Sequence, residues 1–284
     1  MYYYLRPFNS ICKFNGLIYQ DSETIMKNLK NLWLPIFFGA LLLIVACDKE
    51  NEQNVLLTKV TWSNSKQSGE IVYEYDSQNR LVTITEESNS NIYLSKISYN
   101  SSGNVSERLR SQNGVENSRT VYSYPNNKIT VAFQNKVGDQ WIENTKTEYT
   151  KDASGQITKM QTFYKVDGDY QTDSYQLQIW ENGNIVKQET WSSKDGIMMN
   201  SNVLEFDDKY NPYANHGILN GLNGFYKNNR TNSITFNEAD EEIYSYTNSY
   251  EYNDSNYPSK IWESKHNNED VADPTVQLLE YTIN

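Results

Sequence analysis

Polar and apolar residues alternate along most of the chain from residue 55 onward, and the alternation recurs in a hairpin-like unit. In the first copy Ile71, Tyr73 and Tyr75 share one face, whereas Glu74 lies on the other. A polar turn containing Asn or Gly follows, and the next strand begins with an aliphatic residue. The aromatic residues that end these strands are spaced by 24, 25 and 25 positions, at Tyr75, Tyr99, Tyr124 and Tyr149. Such a spacing fits two strands and two short connections.

The hairpin series predicts an all-β fold in a single domain that covers residues 55–284. Doubling the number of units gives a long antiparallel meander of about 14–18 strands, built from repeats of about 25 residues. A sheet of that length must be curled or barrel-like to protect its edges. Residues 211–229 interrupt the pattern, because Pro212 and three glycines break any strand there. We expect a loop insertion with one helical turn around residues 217–222, serving a function or plugging the core.

The densest apolar run, residues 32–45, lies before this domain and is too short for a bilayer core about 30 Å thick. Lys27 and Lys30 precede it, as in a secretory signal peptide. The run ends in Ile-Val-Ala-Cys, which resembles the lipobox of bacterial lipoproteins. The resemblance implies a lipid on Cys47 and cleavage between Ala46 and Cys47. The alternative is a plain transmembrane anchor with an incidental cysteine.

These signals divide the N-terminal region into three predicted parts. Residues 26–46 are a lipoprotein signal peptide that starts at Met26, and residues 1–25 are a gene-start artefact. Residues 47–54 are a lipidated, polar tether that joins the membrane to the domain. The acidic and Lys-containing stretch after Cys47 looks like a surface-export signal of some Gram-negative lineages, although Asp at that position implies inner-membrane retention in others. The predicted location is the outer membrane, periplasmic or surface-exposed.

Two resemblances extend into the domain. The block at residues 73–81, Y-x-Y-D-x-x-x-R-L, resembles the YD repeats of RHS proteins. The whole pattern is similar to a family of Gram-negative lipoproteins of unknown function with a porin-like fold. Three features carry this similarity: the lipobox, the hairpin series, and the F-D-D-K-Y-N-P block at residues 206–212, followed by N-x-I-T at residues 232–235. The resemblance implies a curled β meander and no established activity. We infer no channel from it, since the strands lack continuous lipid-facing apolar bands.

Composition then removes several classes of function. The formal net charge of −11 gives no electrostatic footprint for nucleic acid. Two Cys and two His cannot build a common zinc centre, so His216 and His266 are read as surface or loop residues. Asp167, Gly168 and Asp169 form a tight turn more simply than a calcium loop. We therefore expect no metal, no cofactor and no catalytic residue.

Two sets of residues remain as candidates for binding or catalysis. The aromatic faces of tryptophan suit sugar rings and protein hot spots, although core positions are the simpler account. The candidates are Trp62, Trp141, Trp180, Trp191 and Trp262. Acidic clusters occur at residues 86–87, 207–208 and 238–242, and a glycosidase would need two such carboxylates facing one cleft.

The leading prediction is a non-enzymatic, lipid-anchored envelope protein that binds a glycan, a peptide or a partner protein. A carbohydrate hydrolase that uses paired carboxylates is the first alternative. A purely structural envelope component is the second.

Overall fold

The computed structural model describes residues 55–267 and 274–283. Both the predicted signal peptide and the predicted tether, with Ala46 and Cys47, lie outside the described residues. Within them, no helix is long and apolar enough to cross a membrane.

The described chain forms seventeen strands and one 3₁₀ segment. The strands are β1 (Val55–Ser63), β2 (Ser68–Tyr75), β3 (Leu81–Ser88), β4 (Asn91–Tyr99), β5 (Val105–Gln112), β6 (Val115–Ser123), β7 (Lys128–Val137), β8 (Gln140–Lys151), β9 (Ile157–Val166), β10 (Asp169–Gln171), β11 (Ser174–Glu181), β12 (Asn184–Ser192), β13 (Met198–Tyr210), β14 (Asn228–Asn237), β15 (Glu242–Tyr252), β16 (Pro258–Asn267) and β17 (Thr275–Ile283). The 3₁₀ segment, Ala214–Phe225, lies between β13 and β14.

The strands close into an antiparallel barrel. Except for β10 and β11, which both pair with β9, each strand pairs with the next strand in sequence. β1 pairs with both β2 and β17, which joins the two ends of the meander. The short β10 pairs with residues 164–166 of β9, whereas β11 pairs with residues 159–161 of the same strand. The two share one place in the ring, which therefore has sixteen strands. The predicted all-β meander and its barrel-like closure are therefore confirmed.

The repeat seen in the sequence comes from one kind of turn at one end of the barrel. An Asp or Asn follows the strand, and its Oδ1 accepts two backbone N–H groups of the turn. In the first hairpin Asp76 accepts from Gln78 and Arg80, both at 2.9 Å. The same arrangement recurs at Asn100, Asp152 and Asn253. A residue with positive φ completes each turn: Asn79, Gly103, Gly155 and Asn256.

The aromatic residues that mark the repeat bind backbone at this same end. The Tyr75 hydroxyl donates to the carbonyl oxygen of Leu57 on the neighbouring strand at 2.7 Å. Equivalent bonds join other rings to the first residues of adjacent strands: Tyr99 to Leu81, Tyr124 to Val105, Trp180 to Ile157, and Tyr281 to Pro258. Because each ring needs a strand start beside it, the aromatic position recurs once per hairpin.

Several turns at the opposite end of the barrel are tighter, although Asn237 there accepts two turn N–H groups as Asp76 does. Asn89 and Ser90 have φ of 49° and 68°, as the two-residue turn of a twisted hairpin requires. Asp167 and Gly168 form another such turn, with φ of 52° and 96°. The tight-turn interpretation of residues 167–169 is therefore confirmed.

The 3₁₀ segment closes the first end, which we call the plugged end. The sequence predicted one helical turn at residues 217–222, whereas the structure forms a longer segment, Ala214–Phe225, in 3₁₀ turns. Gly217 and Gly221 interrupt it with φ of 51° and 57°, which bends the segment back on itself. We refer to Ala214–Phe225 as the plug.

The plug packs inside the barrel. Ile218 and Leu219 contact a buried cluster whose members come from β1–β6, β16 and β17, including Leu57 and Leu81. Ile218 also contacts a second cluster, on β7–β9, that contains Ile157. Because these clusters lie on strands around most of the ring, the face that carries them is the inner face of the barrel. The packing-plug interpretation of the insertion is therefore confirmed.

The outer face carries ion pairs between neighbouring strands. Lys59 pairs with Glu70 at 2.6 Å, and Lys128 pairs with Glu148 at 2.8 Å. Another joins Arg119 to Glu107, and Lys187 pairs with Glu189 on its own strand. A lysine or arginine on a lipid-facing strand costs about 2–4 kcal/mol at the bilayer midplane. The ion pairs of the described outer face therefore favour contact with water over contact with lipid.

Candidate binding site in the barrel lumen

The inner face changes character beyond the plug. Cross-strand pairing places Tyr73, Ile84, Ser95 and Arg110 on one inward row, because directly opposed residues share a face. Inward positions nearer the plug are aliphatic or aromatic, whereas those farther away are mostly Ser, Thr, Asn, Gln and charged residues. We call this polar interior space the lumen.

Water reaches the lumen from the far end. Sixteen-stranded barrels enclose more space than the side chains of their walls fill. Inward-facing Phe133 keeps 37% of its surface exposed, and inward-facing Tyr164 keeps 51%. The plug fills the other end, so the described barrel has the form of a cup.

Charged side chains of both signs face the lumen. The register of the strands places four cations and three carboxylates toward the lumen among the described residues: Arg108, Arg110, Arg230, Lys265, Glu86, Glu263 and, beside the turn at the far end, Asp169. Of these residues, only Glu86, in the acidic cluster at residues 86–87, was a candidate from the sequence. The lumen is therefore cationic, although the chain as a whole is acidic.

One group of these residues lies on β3–β5. Arg110 lies 3.5 Å from a carboxylate oxygen of Glu86, and its guanidinium lies over the ring of Tyr93 at 4.5 Å. The Arg108 Nε donates to the Ser95 hydroxyl at 3.1 Å. Burial lowers the pKa of the Arg108 guanidinium, and the neighbouring Arg110 acts in the same direction. This group presents planar cations and an aromatic face side by side.

The second group surrounds a cavity of about 310 Å³ at the floor of the lumen. Rings of Tyr73, Tyr226 and Tyr250 form part of its wall, and Pro212 and Tyr213 at the start of the insertion form its base. Arg230 and Glu263, 3.8 Å apart, contribute charge to the same wall. Cavities of this size with a few polar groups among apolar walls are typical of small-ligand sites.

Hydrogen bonds hold the polar wall of the floor cavity in place. The Tyr250 hydroxyl and the Asn248 amide both donate to the carbonyl oxygen of Arg230, at 2.6 and 2.8 Å. The Asn248 Oδ1 is buried and has no hydrogen-bond partner in the described part of the chain. A buried amide oxygen without a donor is costly, so it marks a place where a ligand or a water can bind.

The tyrosines around the floor are neutral hydrogen-bonding groups. Burial raises the pKa of the Tyr213 phenol to about 12, and burial likewise raises that of Tyr250. Desolvation has the same effect on Tyr73, with a smaller contribution from its neighbours. These hydroxyls therefore act as donors and acceptors and not as bases near neutral pH.

His216 lies in the plug and not at the surface. The sequence predicted a surface or loop location, and His216 does lie in the insertion, but only 6% of its surface is exposed. Its Nε2 lies 2.9 Å from the Tyr75 hydroxyl, and its ring lies 4.9 Å from that of Tyr73. Since the Tyr75 hydroxyl donates to Leu57, the Nε2–H tautomer satisfies both contacts. Burial lowers the pKa of His216 to about 4.

The structure does not bring the five candidate tryptophans together. Trp180 packs at the plugged end, and Trp62 faces the interior over Gly69. The other three lie on outward positions of strands far apart in the ring: Trp141 on β8, Trp191 on β12 and Trp262 on β16. Trp141 contacts Arg119 and Trp262 contacts Lys260 through their ring faces. A ligand-binding role for these residues stays a prediction.

Strand alternation also separates the acidic pairs. Glu86 faces the lumen, whereas Glu87 faces outward. Asp207 accepts hydrogen bonds from Asn229 and Tyr252, while Asp208 is directed to solvent. In the described ranges, no group of three or more His, Cys, Asp or Glu residues is placed to hold a metal ion.

Comparisons with known proteins give structural neighbours only. No protein-family model matches the sequence, and no curated protein matches it. A porin-like protein from Bacteroides vulgatus ATCC 8482 is 15% identical and aligns over 81% of this chain and 99% of its own, with a TM-score of 0.41. A porin-like protein from Bacteroides uniformis ATCC 8492 is 13% identical over 80% and 96%, with a TM-score of 0.37. This likeness is too distant to carry an argument about function.

Proposed function

We propose that this chain is a lipid-anchored, non-enzymatic cell-envelope protein whose barrel is a cup for a polar ligand. The class of ligand that we propose is a glycan, bound in the lumen with one end in the floor cavity. Neutral hydroxyls, amides and aromatic faces recognise sugars through hydrogen bonds and stacking.

The floor cavity is the observation that carries this proposal. It combines three tyrosine rings with the Arg230–Glu263 pair and with the buried, unpartnered Asn248 Oδ1. Two of the lumen carboxylates lie beside a guanidinium, Glu86 beside Arg110 and Glu263 beside Arg230. That arrangement supports binding over the two cleft-facing carboxylates that a hydrolase would need.

The position of the chain entry supports a tether at the plugged end. Val55, the first residue of β1, pairs with Ile283 beside the plug. Eight positions separate Val55 from Cys47, a contour length of at most about 28 Å. A lipid on Cys47 would hold the plugged end near the membrane, and the mouth of the cup would then face away from it.

A glycan array probed with the purified full chain tests the binding role. Asn248→Ala removes the unpartnered floor oxygen, whereas Ser249→Ala changes the adjacent residue, which faces outward. We expect retained glycans whose binding falls about tenfold in Asn248→Ala and is unchanged in Ser249→Ala. Equal binding by both variants would place the ligand outside the floor cavity and contradict the proposal.

Mass spectrometry of the mature protein tests the anchor. We expect an N-terminus at Cys47 that carries acyl chains. When globomycin blocks signal cleavage, that N-terminus should not form and the signal peptide should remain attached. A mature chain that retains residues 26–46 would refute the lipoprotein assignment. Protease treatment of intact cells then separates a surface location from a periplasmic one.

A further inference from the structure

The lumen has an excess of positive charge in a protein whose net charge is negative. Arg108, Arg110, Arg230 and Lys265 face it, against Glu86, Glu263 and Asp169 among the described residues. The whole chain has a formal charge of −11. Focusing of the field inside a low-dielectric wall makes such an internal excess matter for binding more than the same charges on an open surface.

Arg108 is an inward cation with a single hydrogen-bond partner among the described residues. Its Nε bonds to the Ser95 hydroxyl, and in the described part of the chain its guanidinium forms no further hydrogen bond and no ion pair within 4 Å. Glu86 is near enough to act on it electrostatically, yet that carboxylate lies beside Arg110. Guanidinium groups present several N–H donors in a plane, which matches a carboxylate or a sulfate.

Outward arginines are treated differently by the fold. Arg119 lies one strand away on the outer face, where it pairs with Glu107 at 3.6 Å and donates to the Gln134 side chain at 2.6 Å. It also lies over the Trp141 ring at 4.9 Å. The protein itself therefore supplies partners for the Arg119 guanidinium, whereas the Arg108 guanidinium has N–H donors that a ligand can bind.

The arginine group adjoins the floor cavity. Ile71 and Tyr73 line that cavity, and their cross-strand partners are Glu86 and Ile84. Tyr73 lies close enough to Arg108 for each to affect the titration of the other. A ligand seated in the floor cavity can thus extend along the wall to Arg108 and Arg110.

We propose that the ligand of the lumen is anionic: an acidic oligosaccharide whose carboxylate or sulfate binds Arg108 and Arg110. The ring of Tyr93, already stacked under Arg110, offers a face for the sugar beside the anion. Lys265, over Tyr244 and Tyr246, repeats the combination of cation and ring on the opposite wall. This inference rests on the proposed function and specifies its substrate class.

The test is an array of neutral, uronic-acid-containing and sulfated oligosaccharides, probed with the full chain and three variants. Arg108→Gln and Arg110→Gln each remove an inward charge, and Arg119→Gln removes an outward charge of the same size. We expect acidic glycans to be retained and their affinity to fall about tenfold or more in the two inward variants. Arg119→Gln should bind like the unmodified protein, and added salt should weaken binding.

The outcomes separate the two proposals. Suppose that neutral glycans bind as well as acidic ones, and that Arg108→Gln and Arg110→Gln bind like Arg119→Gln. Glycan binding in the lumen would then be supported, and the proposal of an anionic ligand would be refuted. If no glycan binds, both proposals fail. Two inward variants are included because one of them can fail to fold.

Inorganic sulfate gives a second measurement that does not depend on the array. If sulfate binds a specific site at Arg108, it should raise the unfolding midpoint of the unmodified protein and of Arg119→Gln by more than it raises that of Arg108→Gln. The same increment in all three proteins would contradict an anion site at Arg108.

Discussion

Protonation of His216 should loosen the plug, because the folded protein buries this residue in its neutral form. Burial lowers the pKa of His216 from its ordinary value of about 6.5 to about 4. The unfolded chain therefore binds a proton at a higher pH than the folded chain does. Stability from this group is complete above about pH 6.5 and is lost as the pH falls from there toward 4.

The size of the effect follows from that difference in pKa. Each pKa unit corresponds to about 1.4 kcal/mol, so the full loss from His216 is about 3 kcal/mol. At pH 5 the loss is about 2 kcal/mol. For a domain of this length, that lowers the midpoint of thermal unfolding by about 4–8 °C.

Thermal unfolding of the full chain between pH 7.5 and 4.5 measures this loss. His216→Gln keeps a donor for the Tyr75 hydroxyl but has no charge to acquire, so its unfolding midpoint should fall less with pH than that of the unmodified protein. His266→Gln, on the outer face of β16, should keep the slope of the unmodified protein. Parallel curves for His216→Gln and the unmodified protein would refute the reasoning, because carboxylates would then account for all the pH dependence.

Three further results are expected. Asn100→Ala removes the acceptor of two turn N–H groups and should cost about 1 kcal/mol of unfolding free energy, whereas Asn100→Asp keeps the acceptor; chemical denaturation compares them. Gly69→Ala should cost about 1–3 kcal/mol by the same measurement, because its new methyl group would lie 2.6 Å from both the Glu87 carbonyl oxygen and the Trp62 ring. A chain that begins at residue 48 should partition into water and not into detergent, since the outer face carries ion pairs; recovery only in the detergent phase would contradict that account.

The hairpin repeat could be predicted because each unit is set by local contacts. Asp76 binds N–H groups two and four residues away, and Asn79 supplies the positive φ of the same turn. Contacts of this kind involve residues only a few positions apart, so the pattern of a single sequence shows them.

Barrel closure cannot be predicted in the same way, because β1 pairs with β17 at the other end of the domain. No local pattern encodes that pairing, which is why the sequence left an open curl and a closed barrel as alternatives.

The candidate site could not be predicted, because β-bulges reverse the inward–outward alternation of the strands that carry Arg108 and Arg230. Val105 faces inward opposite Tyr99, and strict alternation from Val105 would direct Arg108 outward. The register shifts by one residue between Ser98 and Tyr99, so Arg108 lies opposite Ile97 and faces the lumen. A similar shift beside Phe206 affects Arg230. Face assignments from sequence therefore fail in the half of a strand that lies beyond a bulge.

The plug and the lumen answer one packing problem between them. A ring of sixteen strands encloses an interior that wall side chains cannot fill, and an empty apolar space would be costly. Ile218, Leu219 and Phe225 supply the missing apolar atoms at one end, where the inward rows are aromatic and aliphatic. Beyond them the space remains wet, so inward positions there must be polar. A guanidinium such as Arg108 can then face inward without a carboxylate partner, because its remaining donors meet water or ligand and not hydrocarbon. The end of the barrel that the insertion leaves unfilled is, for that reason, the end where a polar ligand can be held.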